Sequence, residues 1–223
     1  MPGTIILVGN EKGGAGKTTN AVNIAAMAVA DGLDTILVDA DPRQHSAAKW
    51  AEQRKEFHPE APLVRCVTVT GKDIRPELKD FANRYQVVVV DTGAQDSPEL
   101  RAAATIAQVL LVPTPPDPLE LWELPKIEAI YERAKVLNPE LRLVLVVNRI
   151  PYQNSERAPG EVVDWMKENV PDLPSESLVP TTGRAAYGKA TSEGLAVFEV
   201  QKRDTKAVTE MRRLFREVMN GRS

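Results

Sequence analysis

Residues 9–19 read Gly9-Asn10-Glu11-Lys12-Gly13-Gly14-Ala15-Gly16-Lys17-Thr18-Thr19, between an apolar run at Thr4–Val8 and a helical pattern at Asn20–Ala30. Three glycines let the backbone turn tightly and bring its N–H groups close to an anion. The helix that follows adds unsatisfied amides and the positive end of its dipole. At its start, Lys17 suits a nucleotide phosphate and the Thr18 hydroxyl suits Mg²⁺. The stretch therefore predicts a phosphate-binding loop between a strand and a helix.

Strand-like and helical patterns alternate along the chain outward from this loop. Strands are expected at Thr4–Val8, Thr35–Val38, Leu63–Val69, Val87–Val90, Val109–Val112, Leu143–Val147 and Leu178–Val179. Helices are expected at Thr18–Ala30, Ser46–Glu56, Arg75–Arg84, Pro98–Ile106, Glu120–Leu137, Gly160–Asn169, Thr182–Ser192 and Thr205–Met219. This alternation predicts an α/β fold with a doubly wound, mostly parallel sheet covered by helices on both faces. We interpret residues 1–223 as a single domain.

Length and composition fit an ordinary globular protein. Of the 223 residues, 43% are hydrophobic and 26% are charged, which is typical of such proteins. No apolar stretch approaches the roughly 20 residues that span a bilayer, and the first strand leaves no cleavable signal before it. The single Cys66 excludes an internal disulfide and a Cys-x-x-Cys motif. We therefore expect a reducing, cytoplasmic location.

Polar residues follow several of the predicted strands. They are Asp39, Asp41, Asp91, Thr114, Asp117 and Asn148. Because ligands of doubly wound folds bind beyond the carboxyl ends of the strands, we expect these side chains to surround the phosphate loop. Asp39 and Asp41 need Mg²⁺ or lysine nearby to stay ionised. Asp91 follows four valines and needs a partner such as a Mg²⁺-bound water.

The phosphate loop departs from the common pattern G-x-x-x-x-G-K-[ST], which requires glycine where this chain has Glu11. It also carries an additional lysine, Lys12. With that lysine, residues 12–18 resemble the deviant Walker A motif of the ParA/MinD family of P-loop ATPases. The resemblance implies an ATPase using ATP and Mg²⁺, and its nucleotide-binding residues would be Gly13, Gly14, Ala15, Gly16, Lys17, Thr18 and Thr19. It also implies that Lys12 reaches the ATP of a second subunit in a homodimer; the alternative is a solvated loop lysine.

The segment Asp39-Ala40-Asp41-Pro42 resembles the Asp-x-Asp-Pro segment of ParA proteins. The resemblance implies that Asp41 positions the attacking water and is catalytic together with Lys12 and Lys17. Asp39 would support Mg²⁺ or Lys17 without touching the metal. The metal would be held by Thr18 and, through water, by Asp91. The alternative role for Asp41 is that of a helix N-cap ahead of a proline.

Further stretches extend the resemblance to about Glu199. Asn148 would contact the adenine base, and Pro180 would pack against it. The proline-dense loop Pro113–Leu119 resembles a segment of ParF-type partition ATPases that borders their dimer interface; a rigid turn is the alternative. Residues 92–96, Thr-Gly-Ala-Gln-Asp, depart from the double proline common in ParA proteins. Because no DNA-binding domain precedes the first strand, we expect the short, ParF-like plasmid subgroup.

Basic residues are unevenly distributed although the net charge is −3. From Arg184 onward nine basic and five acidic residues give +4, which leaves −7 for the rest of the chain. Such an end either binds a polyanion or forms the solvated face of a helix. Our candidates for contacts with DNA are Arg184, Lys189, Lys202 and Arg203.

The resemblance implies a DNA-partitioning ATPase that is nucleoid-associated when ATP-bound. Its homodimer would bind nonspecific DNA, and a centromere-binding ParB- or ParG-like protein would stimulate hydrolysis and release it. A rival reading is a MinD-like membrane ATPase, marked by an amphipathic pattern at Thr205–Met219. A terminal helix docked on a sheet shows the same pattern more often, so we expect no stable membrane association. A conjugation-linked relative, a small P-loop synthase and a cluster-carrying relative share the same scaffold, although the lone Cys66 disfavours the last of these.

Overall fold

Seven parallel strands form the sheet at the centre of the molecule. The structure is a computed structural model that describes residues 2–94 and 97–220. Within these ranges the strands are β1 Thr4–Val8, β2 Thr35–Ala40, β3 Arg65–Thr68, β4 Val87–Thr92, β5 Val109–Thr114, β6 Arg142–Ile150 and β7 Leu178–Thr182. Their order is β3-β2-β4-β1-β5-β6-β7, and all neighbouring pairs are parallel. The predicted doubly wound α/β fold is confirmed.

Nine α-helices lie between and after the strands in the described residues. They are α1 Lys17–Ala30, α2 Ser46–Phe57, α3 Ile74–Arg84, α4 Pro98–Ala104, α5 Pro118–Leu121, α6 Leu124–Leu137, α7 Ala158–Asn169, α8 Ala185–Ser192 and α9 Thr205–Met219. The predicted single helix Glu120–Leu137 is wrong, because the chain forms α5 and α6 instead. Pro125 lacks a backbone N–H and its ring crowds the preceding turn, so a new helix begins at Leu124, with the proline in its first turn.

Several strands extend further at their carboxyl ends than the apolar runs predict. Asp39 and Asp91 belong to β2 and β4, where they lie opposite each other in register. Asn148 likewise lies within β6. Pro180 lies inside β7, opposite Val147, and not after the last strand as the sequence predicts. β7 is an edge strand with a neighbour on one side only. A proline is tolerated there because its missing N–H is not needed by a second strand.

Helices cover both faces of the sheet. α1, α2, α8 and α9 pack on one face, and α3, α4, α6 and α7 pack on the other. β1 shows why the strands are almost continuously apolar: Ile5 and Leu7 belong to one core while Ile6 and Val8 belong to the other. Because β1 is the central strand, the phosphate loop that follows it lies in the middle of the sheet's carboxyl edge.

The last helix, α9, docks on the sheet through its apolar side. Met211, Leu214, Phe215 and Val218 are all buried there. The amphipathic pattern at Thr205–Met219 therefore reflects packing onto the core, and its apolar side is already covered. Among the described residues, no helix combines the length and the hydrophobicity that crossing a bilayer requires.

Helix α2 is attached to its surroundings at both ends. In its first turn the amide of Ala48 donates to Asp39 Oδ2 at 2.9 Å. Near its other end Arg54, which is 2% exposed, forms two hydrogen bonds of 2.7 and 2.6 Å with the carboxylate of Glu199. The guanidinium of Arg54 also lies over the ring of Trp50 at 5.2 Å. A bidentate pair of this kind fixes direction as well as distance.

Candidate nucleotide-binding site

Glycines shape the phosphate loop between β1 and α1. Gly14 and Gly16 have φ angles of 76° and 94°, in the left-handed region that favours glycine. A Cβ on Gly16 would lie 2.3 Å from Nδ2 of Asn148, so only a glycine permits this approach. No side chain caps the first amides of α1, which begins at Lys17. Those amides can therefore bind an anion.

Lys17 lies buried beneath the loop. Its Nζ donates a hydrogen bond of 2.8 Å to the carbonyl oxygen of Lys12. Burial lowers the pKa of Lys17, and the carboxylates of Asp91 and Asp41 oppose that shift. A desolvated ammonium gains from any further anion close to it, so this position suits a phosphate group.

Lys12 is held at its backbone while its side chain reaches outward. Its amide donates to Oδ1 of Asn10 at 2.9 Å, and Nδ2 of Asn10 donates to the carbonyl oxygen of Pro113 at 2.8 Å. The Nζ of Lys12 lies 4.0 Å from Oε1 of Glu120, and the side chain is 40% exposed. The proline-dense loop thus borders the phosphate loop. Sequence reasoning missed Asn10, although a polar residue just after a buried strand is a usable signal.

Thr18 and Asp91 form the candidate magnesium site. Thr18 Oγ1 donates to Asp91 Oδ2 at 2.7 Å, while the buried Asp91 Oδ1 has no hydrogen-bond partner among the described residues. Burial raises the pKa of Asp91 to about 7, and the bond from Thr18 opposes that rise. An unpaired buried carboxylate oxygen beside a hydroxyl fits a Mg²⁺-bound water. In residues 2–94 and 97–220 no group of three or more His, Cys, Asp or Glu side chains could hold a metal, so these residues would need a nucleotide phosphate to complete the site.

Asp39 uses both carboxylate oxygens to hold the backbone of the following turn. Oδ1 accepts from the amide of Asp41 at 3.0 Å, and Oδ2 accepts from Ala48. Its side chain is fully buried. The arrangement makes Asp39 a positioning residue for Asp41, while the predicted support of Mg²⁺ or Lys17 stays a prediction.

Asp41 organises the turn that precedes α2. Its Oδ1 accepts from the amides of Arg43 and Gln44 at 2.9 and 3.2 Å. Since α2 begins only at Ser46, the alternative in which Asp41 caps that helix is wrong. A Cβ on Gly93 would lie 3.2 Å from Asp41 Oδ1, so the end of β4 approaches this carboxylate closely.

One cavity brings most of these groups together. This phosphate cavity has a volume of about 190 Å³. It is lined by Gly13, Gly14, Gly16, Lys17, Thr18, Thr19, Asp41, Gln44, Ser46, Thr92, Ala94 and Arg149. The predicted Ala15 is buried instead, and its carbonyl oxygen faces Asn148. The space suits an anionic group held between a lysine, a hydroxyl and the amides of α1.

A second cavity of about 380 Å³, which we term the base cavity, adjoins the first. It is lined by Gly16, Thr19, Asn20, Asn148, Arg149, Thr181, Thr182, Gly183, Arg184, Ala185, Tyr187, Gly188 and Met211. Asn148 Nδ2 donates to Ala15 O at 2.7 Å, and its Oδ1 accepts from Thr181 Oγ1 at 3.3 Å. One amide N–H and one acceptor site of Asn148 are left for a base. Pro180 does not line this cavity, so its contact with adenine stays a prediction.

Comparison with known proteins agrees with this geometry. The family model described as ATPase MipZ matches residues 4–167, and a relative from Halothiobacillus neapolitanus is 31% identical over 96% of this chain. The chain belongs to the ParA/MinD family of ATPases. That relative, of which 95% is covered, is called maintenance of carboxysome distribution protein A. The chromosome partitioning protein ParA of Caulobacter vibrioides is 22% identical over 95% of this chain and 93% of its own length.

A solved structure has the same fold as this chain. The ATP complex of Cyanothece McdA superposes with a TM-score of 0.75, over 97% of this chain and 96% of that one, at 15% identity. Nucleotide binding by this ATPase follows from the family and from the cavities above. The ParF-like subgroup stays a prediction.

The predicted DNA contacts of this ParA/MinD ATPase separate into two groups. Lys189, Lys202 and Arg203 are exposed and line one groove of about 590 Å³, which we term the basic groove after them. Three carboxylates, those of Glu60, Glu193 and Glu199, line the same groove. Arg184 instead borders the base cavity and pairs with Asp204 and Glu210, each at 3.3 Å. Sequence position alone groups it with the others, but its charge is committed to these carboxylates. Arg184 therefore does not belong to the basic groove.

Part of the loop that departs from the double proline, Gln95 and Asp96, lies outside the described residues. By contrast, the structure places Arg149, which sequence reasoning did not single out, in the wall of both the phosphate cavity and the base cavity of the ParA/MinD ATPase. Its position directly after Asn148 was the available signal.

Proposed function

We propose that this ATPase positions a cargo through ATP-driven dimerisation on DNA. Two ATP-bound subunits form the dimer, the dimer binds nonspecific DNA, and hydrolysis stimulated by a partner releases it. The observation that carries the proposal is the phosphate cavity, in which Lys17, Thr18 and Asp41 converge beside Asp91. Such a cavity supplies positioning and charge neutralisation, which phosphoryl transfer needs most.

Within the subunit, each of these groups has a separate task. Lys17 would hold the β- and γ-phosphates, and the amides at the start of α1 would bind the same anion. Mg²⁺, when bound beside Thr18 and Asp91, would neutralise charge on the phosphates. The turn at Asp41 uses Oδ1 for backbone amides, so Oδ2 would orient the attacking water. Asp39 keeps that turn in place.

Lys12 supports the dimeric part of the proposal. Its side chain is 40% exposed at the rim of the loop, 4.0 Å from Glu120. A cation that projects outward from the phosphate loop would contact the nucleotide of a second subunit rather than its own. The proposed homodimer is therefore an ATP sandwich in which each Lys12 serves the other subunit.

The basic groove supports the DNA-binding part of the proposal. Lys189, Lys202 and Arg203 supply three cations to this groove of an otherwise acidic protein. The carboxylates of Glu60, Glu193 and Glu199 line it too, and that of Glu199 is already paired with Arg54. Contacts to backbone phosphates need no base recognition, which suits nonspecific binding. In the cell we expect a cytoplasmic protein that associates with the nucleoid in its ATP-bound form.

The cargo has two candidates. The sequence motifs favour plasmid DNA carried by a centromere-binding ParB- or ParG-like protein. The name of the Halothiobacillus relative favours a protein body, since that protein is called a carboxysome distribution protein. Purifying the ATP-trapped dimer with its partner separates them: a sequence-specific DNA-binding protein indicates partition, and a partner that stays bound to a protein body after nuclease treatment indicates the second.

Size exclusion of the Asp41→Ala protein tests the proposed cycle. With ATP it should elute as a dimer, and adding nonspecific DNA should shift it to larger size; with ADP it should stay monomeric and free of DNA. A monomer under every condition would refute the proposal. Sedimentation with anionic liposomes and ATP tests the membrane alternative, which the docked α9 disfavours.

The cluster-carrying alternative is disfavoured by the state of Cys66. Burial, together with the nearby Asp39 carboxylate, raises the pKa of this thiol to about 12. Metal ligation requires the thiolate, and a cluster needs several such ligands whereas the sequence holds a single cysteine. The synthase alternative predicts ATP turnover that depends on a small acceptor, whereas the proposal predicts turnover that depends on the partner.

A further inference from the structure

Arg149 has a backbone conformation that arginine rarely adopts. Its φ angle is 57°, in the left-handed region. The pairing of β6 with β7 is regular at Val147 and resumes at Ile150 with a shift in register. Such a bulge bends a strand and redirects a side chain, and bulges are frequent beside active sites. The bulge and the left-handed residue together place Arg149 over the nucleotide site.

Arg149 lies at the junction of two cavities. It lines both the phosphate cavity and the base cavity. A nucleotide that fills both has its base in one, its terminal phosphate in the other, and its α- and β-phosphates between them. A guanidinium carried by a residue that lines both spaces is within reach of the α- and β-phosphates.

The charge balance of the phosphate cavity also supports a phosphate-binding role for Arg149. Among the described residues that line it, the cationic side chains are Lys17 and Arg149, and Asp41 contributes a carboxylate. Asp91 lies directly behind Thr18. Lys17 alone would face two carboxylates as well as the polyphosphate. The carboxylates repel the polyphosphate, and a second cation in the wall offsets that repulsion. A guanidinium stays charged at any ordinary pH.

The remaining surroundings leave the guanidinium of Arg149 uncommitted. Within residues 2–94 and 97–220 no Asp or Glu forms an ion pair with it. The neighbouring Arg184, by contrast, is held by Asp204 and Glu210. A left-handed position that served only the fold would be filled best by glycine or asparagine.

We propose that Arg149 binds the α- and β-phosphates of the nucleotide held by its own subunit. The inference rests on nucleotide binding as part of the proposed function, but not on dimerisation, DNA or cargo. It assigns to Arg149 a role in affinity for any adenine nucleotide with phosphates, whether or not hydrolysis follows.

The test is a ladder of ligands measured by calorimetry without DNA: adenosine, ADP and ATP, each with wild type, Arg149→Gly, Arg149→Asn and Arg149→Lys. Glycine and asparagine tolerate φ near 57°, so these variants remove the cation without straining the backbone. We expect ADP and ATP to bind about tenfold more weakly to both neutral variants, as for loss of one charged hydrogen bond. Adenosine should bind within about twofold of wild type, and Arg149→Lys should fall between, because lysine lacks the planar fork.

Three results would overturn the assignment. Unchanged ADP and ATP affinity in both neutral variants would show that the side chain is merely solvated. Equal weakening of adenosine and ATP would place it at the base, and weakening of ATP without ADP would place it at the γ-phosphate. Thermal melting of each variant without ligand confirms folding, and the two neutral variants must agree. A wild type that binds ADP and ATP yet never dimerises would refute the proposed cycle and leave this inference standing.

Discussion

The Nζ of Lys17 donates a 2.8 Å hydrogen bond to the carbonyl oxygen of Lys12, so the two lysines of the phosphate loop are directly joined. The amine that would bind phosphate is thus held at the base of the loop that carries the outward-reaching lysine. A nucleotide phosphate that binds Lys17 competes for the ammonium group that holds the backbone of Lys12. Phosphate binding therefore affects the segment that orients the Lys12 side chain.

Replacement of Lys17 by alanine should abolish nucleotide binding. The variant loses the buried cation of the phosphate cavity while Asp41 and Asp91 remain, so the wall becomes repulsive to polyphosphate. We expect affinity for ADP and ATP to fall at least about 100-fold, as for the loss of two charged hydrogen bonds. Calorimetric titration measures it, with the exposed Lys79→Ala as control. Unchanged affinity would refute the assignment of the phosphate loop.

Replacement of Asp41 by asparagine should separate binding from turnover. The amide oxygen can still accept from Arg43 and Gln44, so the turn persists, but the carboxylate that orients water is gone. We expect ATP affinity within about threefold of wild type and turnover slowed by at least about 100-fold, the usual scale for a positioned acid–base group. Phosphate release is the assay and the exposed Asp31→Asn is the control. Normal turnover in the Asp41 variant would remove it from the mechanism.

Asp91 should make the stability of the nucleotide-free protein depend on pH. Burial raises its pKa from 3.8 to about 7, so the folded state holds the proton more tightly than the unfolded chain. The stability from this group is therefore complete below about pH 4 and is lost as the pH rises toward about 7. We expect the unfolding free energy of wild type to fall relative to Asp91→Asn by up to about 1.4 kcal/mol per pH unit in this window.

Urea unfolding of the two proteins across that pH range measures the difference. Above about pH 8 the difference should stay constant, because Asp91 is then ionised in both folded and unfolded states. A difference that does not change with pH would show that another group, not Asp91, sets the pH response.

The basic groove should be needed for DNA but not for ATP. Replacing Lys189, Lys202 and Arg203 together by alanine should lower the slope of log affinity against log salt by about two to three, since each lost phosphate contact removes close to one. Turnover without DNA should be unchanged. The matched control replaces two lysines and one arginine on the opposite face, at Lys72, Arg75 and Lys79. Equal loss in both triple variants would mean that net charge, rather than the groove, binds DNA.

The parts of the fold that were predictable are those encoded locally. Glycine spacing placed the phosphate loop, and apolar runs placed all seven strands, because buried parallel strands need apolar residues on both faces. The ends of β2 and β4 were missed since Asp39 and Asp91 continue the strands although they are charged. Pro125 itself signals a helix break, but the sequence on either side of it keeps a helical period. The prediction therefore joined the two helices.

The parts that were not predictable depend on contacts between distant segments. Asn10 donates to the carbonyl oxygen of Pro113, and Arg184, just before α8, pairs with Glu210 of α9. Neither partner can be read from spacing along the chain. The left-handed conformation of Arg149 was also hidden, because it arises from the bulge between two strands rather than from the residue itself.

Helix α2 gives the nucleotide site and the basic groove a common mechanical element. Its first turn is bonded to Asp39, and its far end is joined to Glu199, a residue in the wall of the groove. A buried ion pair such as Arg54 with Glu199 is costly to break, since loss of one partner from such a pair costs roughly 3–5 kcal/mol. A shift of the Asp41 turn on loss of the γ-phosphate would therefore tilt α2 as a rigid unit. The spacing of the groove's cations would then report, at a distance, whether the nucleotide is a triphosphate or a diphosphate.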